Sequence, residues 1–252
     1  MNVVMIGSGN VATVLGRLIK NAGFEIVQVY SRSGHNAARL AEELGAQFTD
    51  QPANISRQAN MYLLAIADQG LTDLAQFGNF GDNLVVHTAG SISKDVLEKS
   101  SSNYGVLYPL QSLRKEIKTL QQDIPFLIDG NNETVISGLE QFALTLSSSV
   151  QRATDEQRLK LHVGAVIVSN FTNHMYALAE DYCNKAGVDF HLLQPLIEET
   201  ALRIRDQHPA TLQTGPAIRK DITTLDRHLR ELSAYPKLRN LYLKISDSIM
   251  NA

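Results

Sequence analysis

The sequence has no tryptophan and a single cysteine, Cys183. One thiol cannot close an internal disulfide, which excludes a disulfide-stapled secreted scaffold and suits a reducing cytoplasm. Cys183 is expected to be an inert residue buried in a helix. Long apolar runs are missing too: none approaches the roughly 18 residues that a membrane span requires. Met1 leads at once into a strand-like segment, so neither a signal peptide nor a membrane partner is expected, and the expected location is cytoplasmic. There is no large excess of either charge. A net charge of −3 argues against nucleic acid as a main partner. C-x-x-C, H-E-x-x-H and dense His/Asp/Glu clusters are all absent, so no metal is expected; G-x-S-x-G is absent as well, which counts against a Ser-His-Asp hydrolase.

What is present is an ordinary globular composition, 44% hydrophobic and 19% charged over 252 residues, long enough for one large domain or two modest ones. The organising stretch is residues 2–33, NVVMIGSGNVATVLGRLIKNAGFEIVQVYSRS. A β-branched run is followed by Gly7-Ser8-Gly9-Asn10-Val11-Ala12, which fits G-x-G-x-x-G/A, and then Val11, Val14, Leu15, Leu18 and Ile19 recur at helical period. Gly7 permits the turn, Gly9 lets a pyrophosphate approach the backbone, and Ala12 lets the helix pack closely on the strand. A second strand over 24–30 closes a βαβ unit, so a dinucleotide site is expected at the helix N-terminus.

The end of that second strand selects the dinucleotide. An Asp or Glu there would bind a ribose 2′-hydroxyl, but this chain has Ser31-Arg32-Ser33. Hydroxyls and a guanidinium suit a 2′-phosphate, so the expected cofactor is NADP(H), with Arg32 as main discriminator. Further on, a helix is expected over 35–45, strands over 46–48, 61–67, 84–87, 106–110 and 126–128, and then only helices, over 156–186, 190–206, 217–233 and 237–250. The expected fold is α/β, a doubly wound parallel sheet followed by an all-α part, with domains at 1–152 and 153–252. Ligands bind beyond the carboxyl ends of such strands, which draws attention to Ala67 and Asp68, to Ala89 and Ser91, and to the exit of the 106–110 strand.

Three constellations could carry chemistry. The stretch 159–179, LKLHVGAVIVSNFTNHMYALA, is apolar on nearly every face and is expected to be mostly buried, yet His162, Asn170, Asn173 and His174 fall along one side. The segment Tyr108-Pro109-Leu110-Gln111 puts a stiff turn and a donor–acceptor amide beyond a strand. In Thr214-Gly215-Pro216-Ala217-Ile218-Arg219-Lys220-Asp221, Thr214 can cap a helix with Pro216 in its first turn, and Arg219 and Lys220 near that start invite an anion. Residues 203–252 carry nine Lys and Arg against five Asp and Glu, which makes this the electropositive end.

The pieces GSGNVA at Gly7, HTAGS at His87, YPLQSL at Tyr108, LH…SNF over 161–171 and TGPAIRKD at Thr214, taken in order, resemble a family of two-domain bacterial NADP oxidoreductases that pair a Rossmann domain with a helical domain of unknown function. More distantly the layout is similar to pyrroline-5-carboxylate reductase, deazaflavin-dependent NADP reductases and β-hydroxyacid dehydrogenases. The resemblance implies a Rossmann domain, a helical domain that closes the active site, and a homodimer formed through the helical domain. The family pattern has His-Pro-Leu-Gln and Arg-Gly-Asp where this chain has Tyr108-Pro109-Leu110-Gln111 and Arg219-Lys220-Asp221. The expected function is NADPH-dependent reduction of a small, anionic carbonyl or imine compound. In it His162 is general acid, Asn170 and Gln111 hold the reacting group, Tyr108, Pro109 and Arg219 meet the substrate, and Ala67, Asp68, Ala89 and Ser91 join the glycine turn around the cofactor. The alternative is a non-catalytic NADP-binding sensor.

Overall fold

The computed structural model describes residues 1–117 and 123–252. Two compact units are formed, Met1–Ser169 and Asn170–Ala252.

The first unit is built on one sheet in the order β3-β2-β1-β4-β5-β6-β7-β8. The strands are β1 (Asn2–Ile6), β2 (Glu25–Tyr30), β3 (Gln47–Thr49), β4 (Met61–Leu64), β5 (Leu84–His87), β6 (Tyr104–Pro109), β7 (Phe126–Gly130) and β8 (Val150–Arg152). From β3 to β6 the pairs are parallel, and β7 runs antiparallel to β6, so the sheet is mixed at that end. Two apolar layers account for the continuous hydrophobic strands. Val3, Met5, Leu63 and Val86 pack to one side with Leu15 and Ile19 of α1 (Asn10–Asn21), while Val4, Ile6, Tyr62 and Val85 pack to the other. A strand buried on both faces has no polar alternation to show.

Helix α2 (Gly34–Leu44) is capped by Ser33 and stopped by Gly45 in the left-handed region, as its sequence suggests. Helix α3 (Glu133–Leu146) precedes β8, an edge strand that sequence reading passed over because three residues with two exposed positions carry little pattern. Strand β4 stops at Leu64 rather than at 67, although the Ala65 amide still bonds to the Ile6 carbonyl at 2.8 Å. After Arg152 every regular element among the described residues is helical.

The helical run expected over 156–186 begins one residue early and changes pitch in the middle: α4 (Asp155–Ala165), a π segment (Val166–Phe171) and α5 (Thr172–Ala186). The expectation that it is mostly buried is overturned. Leu159, Leu161, Val163, Ile167, Val168 and Phe171 are exposed, Val168 by 73%, and in α4 only Arg158 is buried. Apolar residues on every side require partner surface on every side, and within each unit the described residues leave these side chains exposed.

The second unit holds α5, α6 (Gln194–Arg203), α7 (Ile222–Glu231) and α8 (Pro236–Met250). The helix expected from 217 begins only at Ile222, so Thr214 does not cap it and Pro216 is not in its first turn. Asp221 is the N-cap, accepting from the Thr224 amide at 3.1 Å, which accounts for a carboxylate at that point. The residues before it form turns, with Lys220 at φ 53°. No helix among the described residues is long and apolar enough to cross a membrane.

Candidate active site

In a parallel sheet all strands exit on one edge, so β1, β4, β5 and β6 deliver their following loops to the same place. The glycine turn lies there. Gly7 has φ +127°, and a Cβ on it would stand 2.2 Å from the Ala65 carbonyl oxygen, so no other residue fits. At Gly9 an added Cβ would meet nothing within 4 Å among the described residues, which leaves room over the turn. Helix α1 begins there without a side-chain cap and without an acidic residue in its first turn, so its leading N–H groups remain for an anion. Ala12 is buried in the core and Val11 is partly buried against it, so it is chiefly their backbone that a ligand at the turn would meet.

A cleft of about 610 Å³ runs from Gly7, Ser8 and Gly9 past Ser31 and Arg32 to Ala67. The Ser8 hydroxyl donates to Ser31 Oγ at 2.8 Å, joining the turn to the end of β2, and Arg32 is exposed at the mouth. The Ser33 hydroxyl accepts from the Asn36 amide as the cap of α2. These residues fit an NADP: backbone N–H groups at a helix start for the diphosphate, and hydroxyls with a guanidinium at positions 31–33 for a further phosphate, with the Asp50 carboxylate of the loop after β3 beside Gly34.

On the nicotinamide side of the expected site, Ser91 Oγ donates to Asp68 Oδ2 at 2.6 Å, tying the loop after β5 to the one after β4. Beneath them His87 is fully buried. Its Nδ1 accepts from the Ala89 amide at 3.1 Å, and its Nε2 lies 3.3 Å from the Ser93 carbonyl. Burial first, and then the charge of Arg158, lowers its pKa to about 4, so this ring is neutral.

Tyr108 and His162 meet, the hydroxyl 2.9 Å from Nδ1 and the rings edge to face. Helix α4 carries His162 there because its first turn is fastened twice. A capping box links Thr154 and Gln157, and Asp155 accepts from the Lys94 amide and from Arg158, whose guanidinium also donates to the Ile92 carbonyl. Burial alone would raise the Asp155 pKa, but hydrogen bonds from Ser93 and Arg158 bring it below the usual range. Burial raises the Tyr108 pKa, with the Arg158 charge opposing and Asp68 assisting. Arg158 is 1% exposed, and among the described residues its Nε and one terminal nitrogen have no hydrogen-bond partner.

Of the expected chemistry-bearing residues, the first unit holds Tyr108, Pro109, Gln111 and His162. Gln111 is exposed, with its side-chain oxygen accepting from the Ser112 amide at 2.9 Å. Asn170 and Arg219 belong to the second unit, and both are exposed, as are Asn173 and His174. Sequence reading missed Gly90, Asp155 and Arg158. A Cβ on Gly90 would stand 2.7 Å from His162 Nδ1 and 2.8 Å from Tyr108 Cζ. Arg158 could have been found from its i, i+4 spacing to His162. Among the described residues no group of three or more His, Cys, Asp or Glu could hold a metal.

Comparison with known proteins agrees with this geometry. Residues 2–90 match the family described as "NADP oxidoreductase coenzyme F420-dependent", and residues 124–249 match "Domain of unknown function (DUF2520)". The crystal structure of "putative NADP oxidoreductase BF3122" from Bacteroides fragilis is 39% identical, with 100% of this chain and 98% of that chain covered and a TM-score of 0.95. A Thermotoga maritima protein, TM1727, is 22% identical over 99% of this chain and 97% of that one, at a TM-score of 0.73. The reductive aminase from Aspergillus terreus, solved with NADPH and ethyl-5-oxohexanoate, is 14% identical over 100% and 93%, at 0.69. These last two likenesses show the fold alone. Among proteins of curated function none matches. A glycine turn that only glycine can form, an uncapped helix start, hydroxyls with a guanidinium at positions 31–33 and a 39% identical relative matched from end to end lead to one conclusion: the chain belongs to the family of NADP oxidoreductases that join a Rossmann domain to the helical DUF2520 domain.

Proposed function

We propose that the protein is a cytoplasmic reductase that uses NADP(H) to reduce a carbonyl or imine group of a small anionic compound. The single observation that carries this is the Tyr108–His162 pair at the same sheet edge as the glycine turn, which sets a proton source beside a dinucleotide site. Bound NADPH supplies hydride to the substrate carbon. The chain's own residues do the rest. The backbone at Gly7, Ser8, Gly9, Asn10, Val11 and Ala12 holds the diphosphate, while Ser31, Arg32 and Ser33 hold the 2′-phosphate. Ala67, Asp68, Ala89 and Ser91 line the ring side. His162 serves as general acid, Gln111 orients the reacting group, and Tyr108 and Pro109 bound the substrate; in the second unit the exposed Asn170 and Arg219 are that unit's own candidates for holding the reacting group and attracting its charge. Two solved relatives of this fold are named for imine chemistry, an imine reductase and a reductive aminase, which is compatible with the reading. The sensor alternative loses ground to the family's oxidoreductase character, and no feature of the site favours it.

The test is NADPH consumption against a panel of small keto acids, aldehydes and cyclic imines, paired with binding of both nicotinamide nucleotides. Turnover of at least one anionic member is expected, with NADPH bound more tightly than NADH. Arg32→Ala should lower that preference roughly ten- to a hundredfold, the worth of a charge-assisted phosphate contact. A wild-type protein that binds neither nucleotide would sink the proposal, and an unchanged preference in Arg32→Ala would remove Arg32 from it.

A further inference from the structure

We propose that Tyr108 and His162 form a two-group proton relay: the Tyr108 hydroxyl donates to His162 Nδ1, which keeps the ring proton on Nε2, and Nε2 is the atom that hands a proton to the substrate. The inference rests on the reductase reading and specifies its acid. The two groups are 2.9 Å apart. Tyr108 is 8% exposed and His162 only half-buried, so the ring is the member a substrate can reach. Among the described residues the Tyr108 hydroxyl has no other hydrogen bond. Were Nδ1 to carry the proton, the phenolic hydrogen would lose its acceptor, which a buried polar group resists. Burial also keeps the phenol protonated. Gly90 completes the arrangement, because any Cβ there would strike both rings.

The step balances with the groups present. The substrate carbon receives hydride, and its oxygen or nitrogen takes the Nε2 proton. As that proton leaves, the Tyr108 proton moves to Nδ1, so the imidazole is neutral before and after. The negative charge ends on the phenolate oxygen, where the positive charge of the buried Arg158 guanidinium favours it; this gives a role to a cation two of whose nitrogens have no hydrogen-bond partner among the described residues. A solvent proton then enters at Nε2, and the one on Nδ1 returns to Tyr108.

The experiment is ¹⁵N NMR of the histidine rings without cofactor, with His162 assigned by the signal lost in His162→Gln, alongside NADPH titration. Wild type should show the Nε2–H form. Tyr108→Phe should lose that preference and keep its NADPH affinity, while turnover of any substrate found falls about a hundredfold or more. A wild-type ring protonated on Nδ1, or a tautomer unchanged in Tyr108→Phe, would overturn the relay. If Tyr108→Phe does not fold, Gly90→Ala keeps both partners but forces them apart, and an unchanged tautomer there would overturn it equally. Wild-type protein that fails to bind NADPH would instead fall on the reductase reading, because the tautomer is measured without cofactor.

Discussion

Lys220 shows how one residue can be strained by its neighbours. Its φ of 53° is the only positive value at a non-glycine position among the described residues, and it immediately precedes the Asp221 cap of α7. The left-handed region costs an L-residue with a Cβ roughly 1–2 kcal/mol, and the family pattern has glycine here. Lys220→Gly should therefore raise stability by about 0.5–1 kcal/mol, part of the relief being offset by glycine's freedom in the unfolded chain. A lowered melting temperature would contradict this. His87 is a second case. Its pKa falls from 6.5 to about 4 on folding, so the unfolded chain takes up the proton first as pH drops. The sign follows: this contribution is complete above about pH 6.5 and is lost as pH falls toward about 4, by at most about 3 kcal/mol. Urea unfolding of wild type across that window should show the loss, and His87→Gln should flatten the slope. A wild-type stability that is level with pH there would refute it. The sequence presents HTAGS, but nothing in it says that the histidine faces inward. Which way a strand residue points depends on which layer covers it.

Helix α4 matters because its start decides where His162 stands. The Thr154–Gln157 capping box satisfies two backbone donors, and Asp155 and Arg158 hold the first turn to the loop after β5. Thr154→Ala should cost about 1 kcal/mol, about 2–4 °C in melting temperature for a chain of this size, and should weaken the Tyr108–His162 contact. An unchanged melting temperature would show that the cap is redundant with the Arg158 clamp. The boundary of this helix was legible to within one residue, since Thr154-Asp155-Glu156-Gln157 spells its own signal. The pitch change at Val166–Phe171 was not, because an apolar run has no marker for an inserted residue. The start of α7 differs for a related reason: Thr214 and Pro216 have the right chemistry for a helix start, but Asp221 has it too, and Asp221 is the residue that caps, accepting from the Thr224 amide and hydroxyl.

For the molecule as a whole, the exposed apolar residues decide what to expect of assembly. Val168 is 73% exposed, Leu192 78% and Leu196 63%, with Phe171 and Ile222 close to these values. Monomers seldom leave so many large side chains in water; Leu192, Leu196, Phe171 and Ile222 belong to the second unit, the surface that the homodimer expected from the family resemblance would use. Light scattering at micromolar concentration should give twice the chain mass, and Leu192→Glu, in the second unit, should halve it. A monomeric wild type would defeat the proposal.

The first βαβ unit, the glycine turn and the cofactor class were decided by the sequence alone, because each is written in local chemistry: a backbone only glycine can adopt, a run of β-branched residues, a missing carboxylate. Which polar groups meet was decided only by the tertiary structure. Tyr108 and His162 lie far apart along the chain, and what joins them is a parallel edge, a clamped helix and a glycine with no side chain to stand between them. Contacts of that kind depend on three-dimensional packing, and packing has no local signature to read.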